Sequence, residues 1–283
     1  MDIQRLDALI AAALREDMPR GDVTSESLIP ASARSRAVLV AKAPGVLAGI
    51  EVARRVFLKA DRRTSFQIRR RDGERFGPGD VLAEIAGRTR ALLGAERTAL
   101  NFVQRLSGIA TATRVYVDAV AGTGARILDT RKTTPGLRDL EKYAVRMGGG
   151  TNHRRDLSSM VLIKDNHLAS VGDVGLAVAR ARRKAGNRLL VEVEVTDFRQ
   201  ARAALAAGAD WIMLDNMAPA AMGKVTAWVA GRAKIEASGN VSLDNVRAVA
   251  ELGVDYISVG RLTHSVAAID LSLEFLDGAR RRR

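Results

Sequence analysis

Short apolar runs that end in polar residues recur through the second half of the chain. Four of the polar ends, Glu194, Asp215, Ser238 and Gly260, are separated by 21, 23 and 22 positions. This regular spacing predicts a repeated unit of one strand and one helix. The six runs predicted as strands are Ile127–Leu128, Met160–Ile163, Leu189–Val195, Trp211–Leu214, Ile235–Ser238 and Tyr256–Val259.

Helical segments separate these runs, and parallel strands joined by helices place their polar carboxyl ends at one edge of the sheet. Six strands are two fewer than a complete eight-fold barrel has, so we predict an open, incomplete α/β barrel. No Gly-x-Gly-x-x-Gly opens a helix, which argues against a doubly wound dinucleotide-binding sheet. The predicted helices are Asp173–Ala185, Asp197–Ala207, Pro219–Val229 and Ser242–Leu252.

The first part of the chain mixes strands and helices in an order that predicts an α/β sandwich. A long helical pattern follows from Arg88 to Ala121, and Ser107 and Gly108 form a joint within it. We place the domain boundary at this joint. The predicted parts are an N-terminal sandwich domain over residues 1–107, a barrel domain over 108–264, and a C-terminal helix over 265–283 that packs back on the first domain.

Composition narrows the class of protein without identifying a function. The 283 residues are 47% hydrophobic and include no cysteine, which excludes disulfides and thiolate metal sites. No run approaches the roughly 18 apolar residues that span a bilayer. The first ten residues lack the basic and then apolar layout of a signal peptide. We therefore expect a cytoplasmic protein that does not bind membranes.

The formal charge of +13 permits three interpretations. It can reflect an Arg-rich composition with a basic end at Arg280–Arg283, binding to nucleic acid, or attraction of small anionic substrates. Aromatic residues make up only 4% of the chain, so platforms for base stacking are scarce. Basic residues also alternate with acids along most helices. Both observations argue against nucleic-acid binding.

Cations gather in three segments near the middle of the chain, Asp129–Arg138, Gly148–Arg154 and Ile163–His167. Two of these segments follow short apolar runs, and one contains three consecutive glycines. Cations that follow buried strands beside a glycine turn predict a pocket for a polyanion. The residues concerned are Arg131, Lys132, Arg138, His153, Arg154, Lys164 and His167.

The ends of the later strands carry acids and turns that suit other groups of a ligand. Glu194 and Asp215 suit sugar hydroxyls or a divalent cation, and the turns after Ser238 and Val259 are typical of phosphate sites in barrels. Each residue also has a structural interpretation, such as a solvated loop cation, a helix cap or an ordinary turn. A Schiff-base role for Lys164 is the main mechanistic alternative on residue types alone.

Several motifs together resemble quinolinate phosphoribosyltransferase, also called nicotinate-nucleotide pyrophosphorylase (carboxylating). The resemblance covers nearly the whole chain, and it is specific only in combination. The motifs lie in Gly21–Thr24, Gly45–Gly49, Ala99–Thr111, Asp129–Gly136, Glu141–Val145, Gly148–Arg154, Ile163–His167 and Asp255–Gly260.

This resemblance implies an activity, a cofactor and an assembly. The implied reaction converts quinolinate and phosphoribosyl pyrophosphate to nicotinate mononucleotide, pyrophosphate and carbon dioxide in NAD biosynthesis, with Mg²⁺ as the cofactor. The implied assembly is a homodimer, or a higher oligomer, in which Arg97 reaches the site of the neighbouring subunit. The same resemblance implies the N-terminal sandwich and the open barrel.

The resemblance also assigns roles to residues. Lys132, Lys164, Glu194 and Asp215 are the expected catalytic residues, and Glu194 and Asp215 also lie at the ribose hydroxyls and the metal. The expected substrate-binding residues are Arg97, Arg131, Lys132, Thr133, His153, Arg154, Lys164, Glu194, Asp215, Ser238, Gly239, Asn240, Gly260, Arg261 and Leu262.

Two positions depart from the family pattern. Asn240 stands where a second glycine is common, and we expect it to tolerate a positive φ. Arg261 stands where a small residue is usual, and either contacts phosphate or faces solvent. Two alternative functions remain at this point: a paralogue from molybdenum-transport operons that uses another ring acid, and a basic nucleic-acid-binding protein.

Overall fold

The computed structural model describes residues 2–276 of the chain. Its helices are α1 (Ile3–Asp17), α2 (Val23–Leu28), α3 (Ile50–Ala60), α4 (Thr89–Ala119), α5 (Arg138–Met147), α6 (Asp165–Val171), α7 (Val174–Ala185), α8 (Phe198–Ala206), α9 (Pro219–Val229), α10 (Val246–Ala250) and α11 (Arg261–His264). Its strands are β1 (Arg34–Ala41), β2 (Gly45–Val46), β3 (Ser65–Ile68), β4 (Arg75–Phe76), β5 (Val81–Arg88), β6 (Arg126–Leu128), β7 (Val161–Ile163), β8 (Val191–Val195), β9 (Trp211–Asp215), β10 (Lys234–Ser238), β11 (Tyr256–Ser258) and β12 (Leu271–Phe275).

Two compact units divide the chain. The first holds the residues up to Ala112, the segment Asp139–Gly149 and the described residues from Ser265 onward. The second holds Thr113–Arg138 and Gly150–His264. Among the described residues, no helix is both long enough and apolar enough to cross a membrane.

The first unit contains an antiparallel sheet in the order β12-β1-β5-β3, with helices beside it, as expected for an α/β sandwich. It also includes most of α5, which the predicted ranges assigned to the barrel. Leu140, Ala144 and Val145 are buried on this helix. Arg105 pairs with the fully buried carboxylate of Glu141 at 2.6 Å. The apolar face and the ion pair of α5 together explain its place in the first unit.

The predicted C-terminal helix was wrong within the described residues. Leu271–Phe275 forms β12, which pairs antiparallel with β1 in the register Leu273 to Leu39. The sequence Leu-Ser-Leu-Glu-Phe alternates with period two, and Leu271 and Leu273 are buried. The predicted return of this segment to the first domain agrees with that pairing. Residues 277–283 lie outside the described residues.

The second unit contains the predicted open barrel. Its six parallel strands follow the order β6-β11-β10-β9-β8-β7, so β6 and β7 form the two edges of the sheet. Carboxylates cap two of its helices, since Asp173 accepts the N–H group of Leu176 at the start of α7 and Asp197 accepts that of Gln200 at the start of α8. The predicted helix Ser242–Leu252 is shorter than expected and covers only α10.

One face of this sheet is unusually polar. Paired residues of parallel neighbours share a face, and the registers join Glu194 to Met213, Met213 to Glu236 and Glu236 to Tyr256. The next row joins Asp215 to Ser238. Residues that alternate with these, such as Ile212 and Leu214, are fully buried on the other face. Period-two alternation thus places several acids on one face of the sheet.

Candidate active site

A cavity of about 520 Å³ opens at the carboxyl ends of the strands in the second unit. It brings together the ends of β9, β10 and β11 with the loop that follows β6. These are the positions where parallel-barrel enzymes place their ligands. The lining residues are Thr130, Lys132, Asp215, Asn216, Ser238, Gly239, Asn240, Val241, Ser242, Ser258, Val259, Gly260, Arg261 and His264.

The turn after β10 requires glycine at position 239. Gly239 has a φ of +90°, and a Cβ there would lie 2.1 Å from Oδ1 of Asn216. Asn240 also has a positive φ, +51°, and its Nδ2 donates to the same Oδ1 at 3.0 Å. The expected tolerance of Asn240 for this conformation is confirmed. The turn is fixed by a side-chain hydrogen bond where the family more often has glycine.

The turn after β11 packs against the loop that carries Lys132. A Cβ on Gly260 would lie 3.2 Å from Cδ of Lys132. Thr263 Oγ1 donates to the backbone carbonyl of Lys132 at 2.7 Å. Arg261 is exposed and lines the cavity, whereas the side chain of Leu262 is fully buried. Leu262 can therefore face a ligand only through its backbone.

A buried carboxylate holds two of the cationic segments together. Asp129 is fully buried. Its oxygens accept the side-chain amide of Asn152 at 2.6 Å and the backbone N–H of His153 at 2.8 Å. Thr151 forms a parallel bridge to Leu128 at the end of β6. Asp129 therefore fixes the backbone that precedes Arg131 relative to the backbone that precedes Arg154.

Two guanidinium groups lie in this region without full compensation. Nε of Arg131 is buried and has no hydrogen-bond acceptor among the described residues. Arg154 donates to the carbonyl of Met160 at 3.2 Å. Burial, followed by the charge of Arg131, lowers the pKa of Arg154. A planar anion placed here would relieve both the repulsion and the unpaired donor.

Two other predicted residues of the cationic segments, Lys164 and Thr133, have side-chain partners in the chain. Lys164 Nζ donates to Glu194 Oε1 at 2.7 Å, and the Glu194 side chain is only 13% exposed. Thr133 Oγ1 accepts from Nε of Arg138 at 3.0 Å. The structure thus joins Lys164 to Glu194 and gives Thr133 a role in holding Arg138.

Arg97 is the predicted site residue that the second unit does not contain. It lies on α4 in the first unit and its side chain is exposed. Its expected contribution to the site of a neighbouring subunit stays a prediction.

A buried cluster joins His153 to Glu192 and Glu236, two acids to which sequence reasoning assigned no role. Nε2 of His153 lies 2.9 Å from Glu192 Oε2 and 3.3 Å from Glu236 Oε2. These three residues are also arranged so that they could hold a metal ion. Burial, together with the charge of Glu236, raises the pKa of Glu192 to about 8. The strand alternation in Val191–Val195 and Lys234–Ser238 was the available signal, because it places Glu192 and Glu236 on the polar face.

Comparisons with known proteins identify the family. The family model described as "Quinolinate phosphoribosyl transferase, C-terminal domain" matches residues 109–274, and the N-terminal domain model matches residues 22–107. The probable nicotinate-nucleotide pyrophosphorylase (carboxylating) of Bacillus subtilis is 43% identical, over 97% of this chain and 94% of its own length. The corresponding Mycobacterium leprae protein is 45% identical, over 94% of this chain and 95% of its own.

Solved structures agree with this result. NadC from Streptococcus pyogenes has a TM-score of 0.94 and 44% identity, and the match covers 98% of this chain and 99% of that one. The nicotinate-nucleotide pyrophosphorylase of Francisella tularensis has a TM-score of 0.92 and 36% identity, with 97% of both chains covered. The chain therefore belongs to the quinolinate phosphoribosyltransferase family.

Proposed function

We propose that this protein transfers the phosphoribosyl group of phosphoribosyl pyrophosphate to quinolinate and releases carbon dioxide. The products are nicotinate mononucleotide and pyrophosphate, in the route to NAD. The observation that carries this proposal is the buried Nε of Arg131, which has no acceptor among the described residues and belongs to a guanidinium that repels the guanidinium of Arg154. Two guanidinium groups of this kind suit the adjacent carboxylates of a pyridine dicarboxylate.

The cavity supports the other substrate. Its two turns, at Ser238–Asn240 and at Gly260, allow the backbone to approach a ligand closely, which suits the 5′-phosphate of the ribose. Asp215 lines the same cavity and Glu194 lies on the adjacent strand, so their carboxylates can accept the ribose hydroxyls. Lys132 lines the cavity as well and can balance the charge of the leaving pyrophosphate.

The chemical step then follows from electrostatics. The ring nitrogen of quinolinate forms a bond to C1 of the ribose, and the bond from C1 to pyrophosphate breaks with its electron pair leaving on oxygen. Glu194 and Asp215 stabilise the positive charge that develops at C1. The pyridinium nitrogen then stabilises the electron pair left when the adjacent carboxylate departs as carbon dioxide. That carbon takes a proton. Lys164 is bound to Glu194 as a charge partner, so we assign it no Schiff base.

The residues present fit a Mg²⁺ ion bound together with the pyrophosphate. Mg²⁺ prefers oxygen ligands and is usually held by one or two carboxylates plus substrate phosphates. Asp215 lines the cavity, and Glu194 has one oxygen beyond its bond to Lys164. When bound, the ion would neutralise charge on the leaving group. We propose Asp215 and Glu194 as the residues that would hold it.

The active assembly that we propose is a homodimer in which Arg97 serves the neighbouring site. Its support is the exposed position of Arg97 on α4, where its side chain forms no hydrogen bond or ion pair with the described residues. A third guanidinium from outside the second unit would complete the neutralisation of a dianionic ring acid.

The test is a direct assay with purified protein, quinolinate, phosphoribosyl pyrophosphate and Mg²⁺. We expect carbon dioxide, pyrophosphate and nicotinate mononucleotide to appear in equal amounts. A chelator should abolish turnover, and added Mg²⁺ should restore it. No turnover of quinolinate under these conditions would refute the proposal, and turnover of a different ring acid would identify the paralogous function instead.

A further inference from the structure

Two asparagines that line the cavity have a left-handed backbone conformation. Asn216, which follows β9, and Asn240, which follows β10, both have a φ of +51°. Among the described residues, the other non-glycine residue with a positive φ is Ala230, which does not line the cavity. A side chain in this conformation is strained and persists only where its surroundings fix it, and such residues concentrate at functional sites. The contacts that fix the two asparagines therefore point to a task in the cavity.

The two asparagines join the turn after β10 to the carboxylate of Asp215. Nδ2 of Asn240 donates to Oδ1 of Asn216 at 3.0 Å, and Nδ2 of Asn216 donates to Oδ2 of Asp215 at 3.1 Å. A carboxylate accepts hydrogen bonds and does not donate them, so it requires the Nδ2 end of Asn216 to face Asp215. Oδ1 of Asn216 is then left to face Asn240. These three side chains form one row, which we call the asparagine bridge.

We infer that Asn240 is a positioning residue for Asp215 and that it acts through Asn216. The inference rests on the proposed function, in which the turn at Ser238–Asn240 binds the 5′-phosphate and Asp215 serves the ribose. It adds that these two parts of the site are coupled, because the conformation of the phosphate turn sets the direction of the carboxylate at the ribose.

The backbone is fixed at both ends of the asparagine bridge. The N–H of Asn216 donates to the carbonyl of Ser238 at 3.0 Å, which extends the pairing of β9 with β10 by one residue. Nδ2 of Asn245 donates to the carbonyl of Asn240 at 3.0 Å, and Oδ1 of Asn245 accepts the N–H of Ser242 at 2.9 Å. Asn240 is therefore held by its backbone as well as by its side chain.

Gly239 brings the backbone of the phosphate turn against the middle of the asparagine bridge. A Cβ at this position would lie 2.1 Å from Oδ1 and 2.9 Å from Nδ2 of Asn216. The side-chain amide of Asn216 thus fills the space that a side chain at position 239 would need. Contact on this side limits rotation of the amide, and so fixes the direction of its hydrogen bond to Asp215.

The asparagine bridge occupies one oxygen of Asp215 and leaves the other for a ligand. Oδ2 accepts from Asn216, whereas Oδ1 has no hydrogen-bond partner among the described residues. With one oxygen held, the carboxylate rotates less and presents Oδ1 in a defined direction. A side chain that is fixed in advance loses less conformational entropy when the ribose binds, and it needs no reorganisation when charge develops at C1. Loss of Asn240 should therefore affect both substrate binding and the chemical step.

The first test uses variants in which glycine replaces a residue with a positive φ. Asn240→Gly accepts that conformation and deletes the donor to Asn216. We expect it to raise the KM for phosphoribosyl pyrophosphate about fivefold, the effect of losing one ordinary hydrogen bond. kcat should fall about threefold, because Asp215 also stabilises charge at C1 in the transition state. An unchanged kcat would overturn the inference, since a residue that only binds the phosphate changes KM alone.

Ala230→Gly is the matched control for these kinetics. It relieves the same backbone conformation at a residue that does not line the cavity, so both KM values and kcat should stay at their wild-type values. The KM for quinolinate should also stay within about twofold of wild type in Asn240→Gly, because the bridge contacts none of the cations that we assign to the ring acid. A larger rise in the KM for quinolinate than in that for phosphoribosyl pyrophosphate would contradict the inference.

A double-mutant cycle shows whether Asn240 acts through Asn216. If it does, Asn240→Gly has nothing left to remove once Asn216 is replaced by glycine. The double variant should then match Asn216→Gly within about twofold in kcat/KM for phosphoribosyl pyrophosphate. Independent effects would multiply and lower kcat/KM about fifteenfold further, and that result would show that Asn240 contacts the substrate directly.

NMR of side-chain amides tests the asparagine bridge without substrate. In isotope-labelled protein, the amide resonances of Asn216 are identified by their absence from the spectrum of Asn216→Gly. Asn240→Gly should shift them, because Oδ1 of Asn216 loses its donor, and Ala230→Gly should not. Unshifted resonances in Asn240→Gly would refute the bridge. A wild-type protein that shows the bridge and does not turn over quinolinate would refute the proposed function alone.

Discussion

Gly239 packs so closely against Asn216 that a Cβ at position 239 would lie 2.1 Å from Oδ1 of Asn216. The same oxygen accepts Nδ2 of Asn240, so three residues of two loops are fixed around one atom. This contact shapes the part of the cavity that we assign to the 5′-phosphate. It connects the conformation of a single glycine to the binding of one substrate.

Gly239→Ala should therefore raise the KM for phosphoribosyl pyrophosphate strongly, by about tenfold or more, because both a steric overlap and a left-handed backbone oppose the new methyl group. Steady-state kinetics with each substrate varied in turn would measure the effect. Gly231→Ala is the matched control. Gly231 has a φ of +78°, and a Cβ at this position would meet nothing within 4 Å, so the substitution should lower Tm slightly and leave both KM values unchanged. Equal KM values for the two variants would contradict the assignment of this turn.

Arg131→Ala should weaken quinolinate binding by about 2–5 kcal/mol, because it removes one partner of a desolvated charge pair. The affinity for phosphoribosyl pyrophosphate should change much less. Calorimetric titration of each substrate separates the two effects. Arg69→Ala, which removes an exposed ion pair with Glu84, is the control and should leave quinolinate binding unchanged. Wild-type quinolinate affinity in Arg131→Ala would show that the ring acid binds elsewhere.

Mixing two inactive variants should restore activity if Arg97 acts across a dimer interface. Arg97→Ala and Lys132→Ala each damage every site of their own homodimers. In a hybrid dimer, one site has both lesions and the other has neither. Random reassortment makes half of the dimers hybrid, so the mixture should recover about a quarter of wild-type turnover. Mixtures as inactive as the separate variants would place Arg97 in its own subunit's site or outside the site altogether.

Tyr143→Phe should lower the stability of the first unit by about 1 kcal/mol at neutral pH, since Tyr143 donates to Oδ2 of Asp72 at 2.7 Å. The other oxygen of Asp72 accepts the N–H of Ile50 at the start of α3, so the pair ties α5 to this unit. Denaturant unfolding at neutral pH, compared with wild type, measures the loss.

The same pair predicts a dependence on pH. Burial, followed by the hydrogen bond to Asp72, raises the pKa of Tyr143 above its usual value near 10. A folded-state pKa above the unfolded one gives stability that is present below the unfolded pKa and is lost as the pH rises from that value through the folded pKa. Stability of the wild type should therefore fall above about pH 10, and the fall should be shallower in Tyr143→Phe. Parallel curves for the two proteins would exclude this contribution.

The strands of the barrel could be predicted from the sequence because each one depends on residues that are neighbours in the chain. Apolar runs with polar ends at a regular spacing predicted six parallel strands, and the structure confirmed the open barrel. The segment Leu271–Phe275 was misread, because a short apolar stretch near a chain end fits a helix as well as a strand until its pairing partner is known. β1 is that partner, more than 200 positions earlier in the chain.

The sequence by itself determined the family, the repeated strand–helix units and the residue types at the strand ends, since each depends on neighbours within a few positions. Tertiary structure alone decided which of these residues meet. It paired Lys164 with Glu194, buried Nε of Arg131 without an acceptor among the described residues, and placed His153 between Arg154 and two glutamates on strands that are not adjacent. Such contacts join residues roughly 30 to 80 positions apart, and they follow from sheet register and burial, which no local pattern contains.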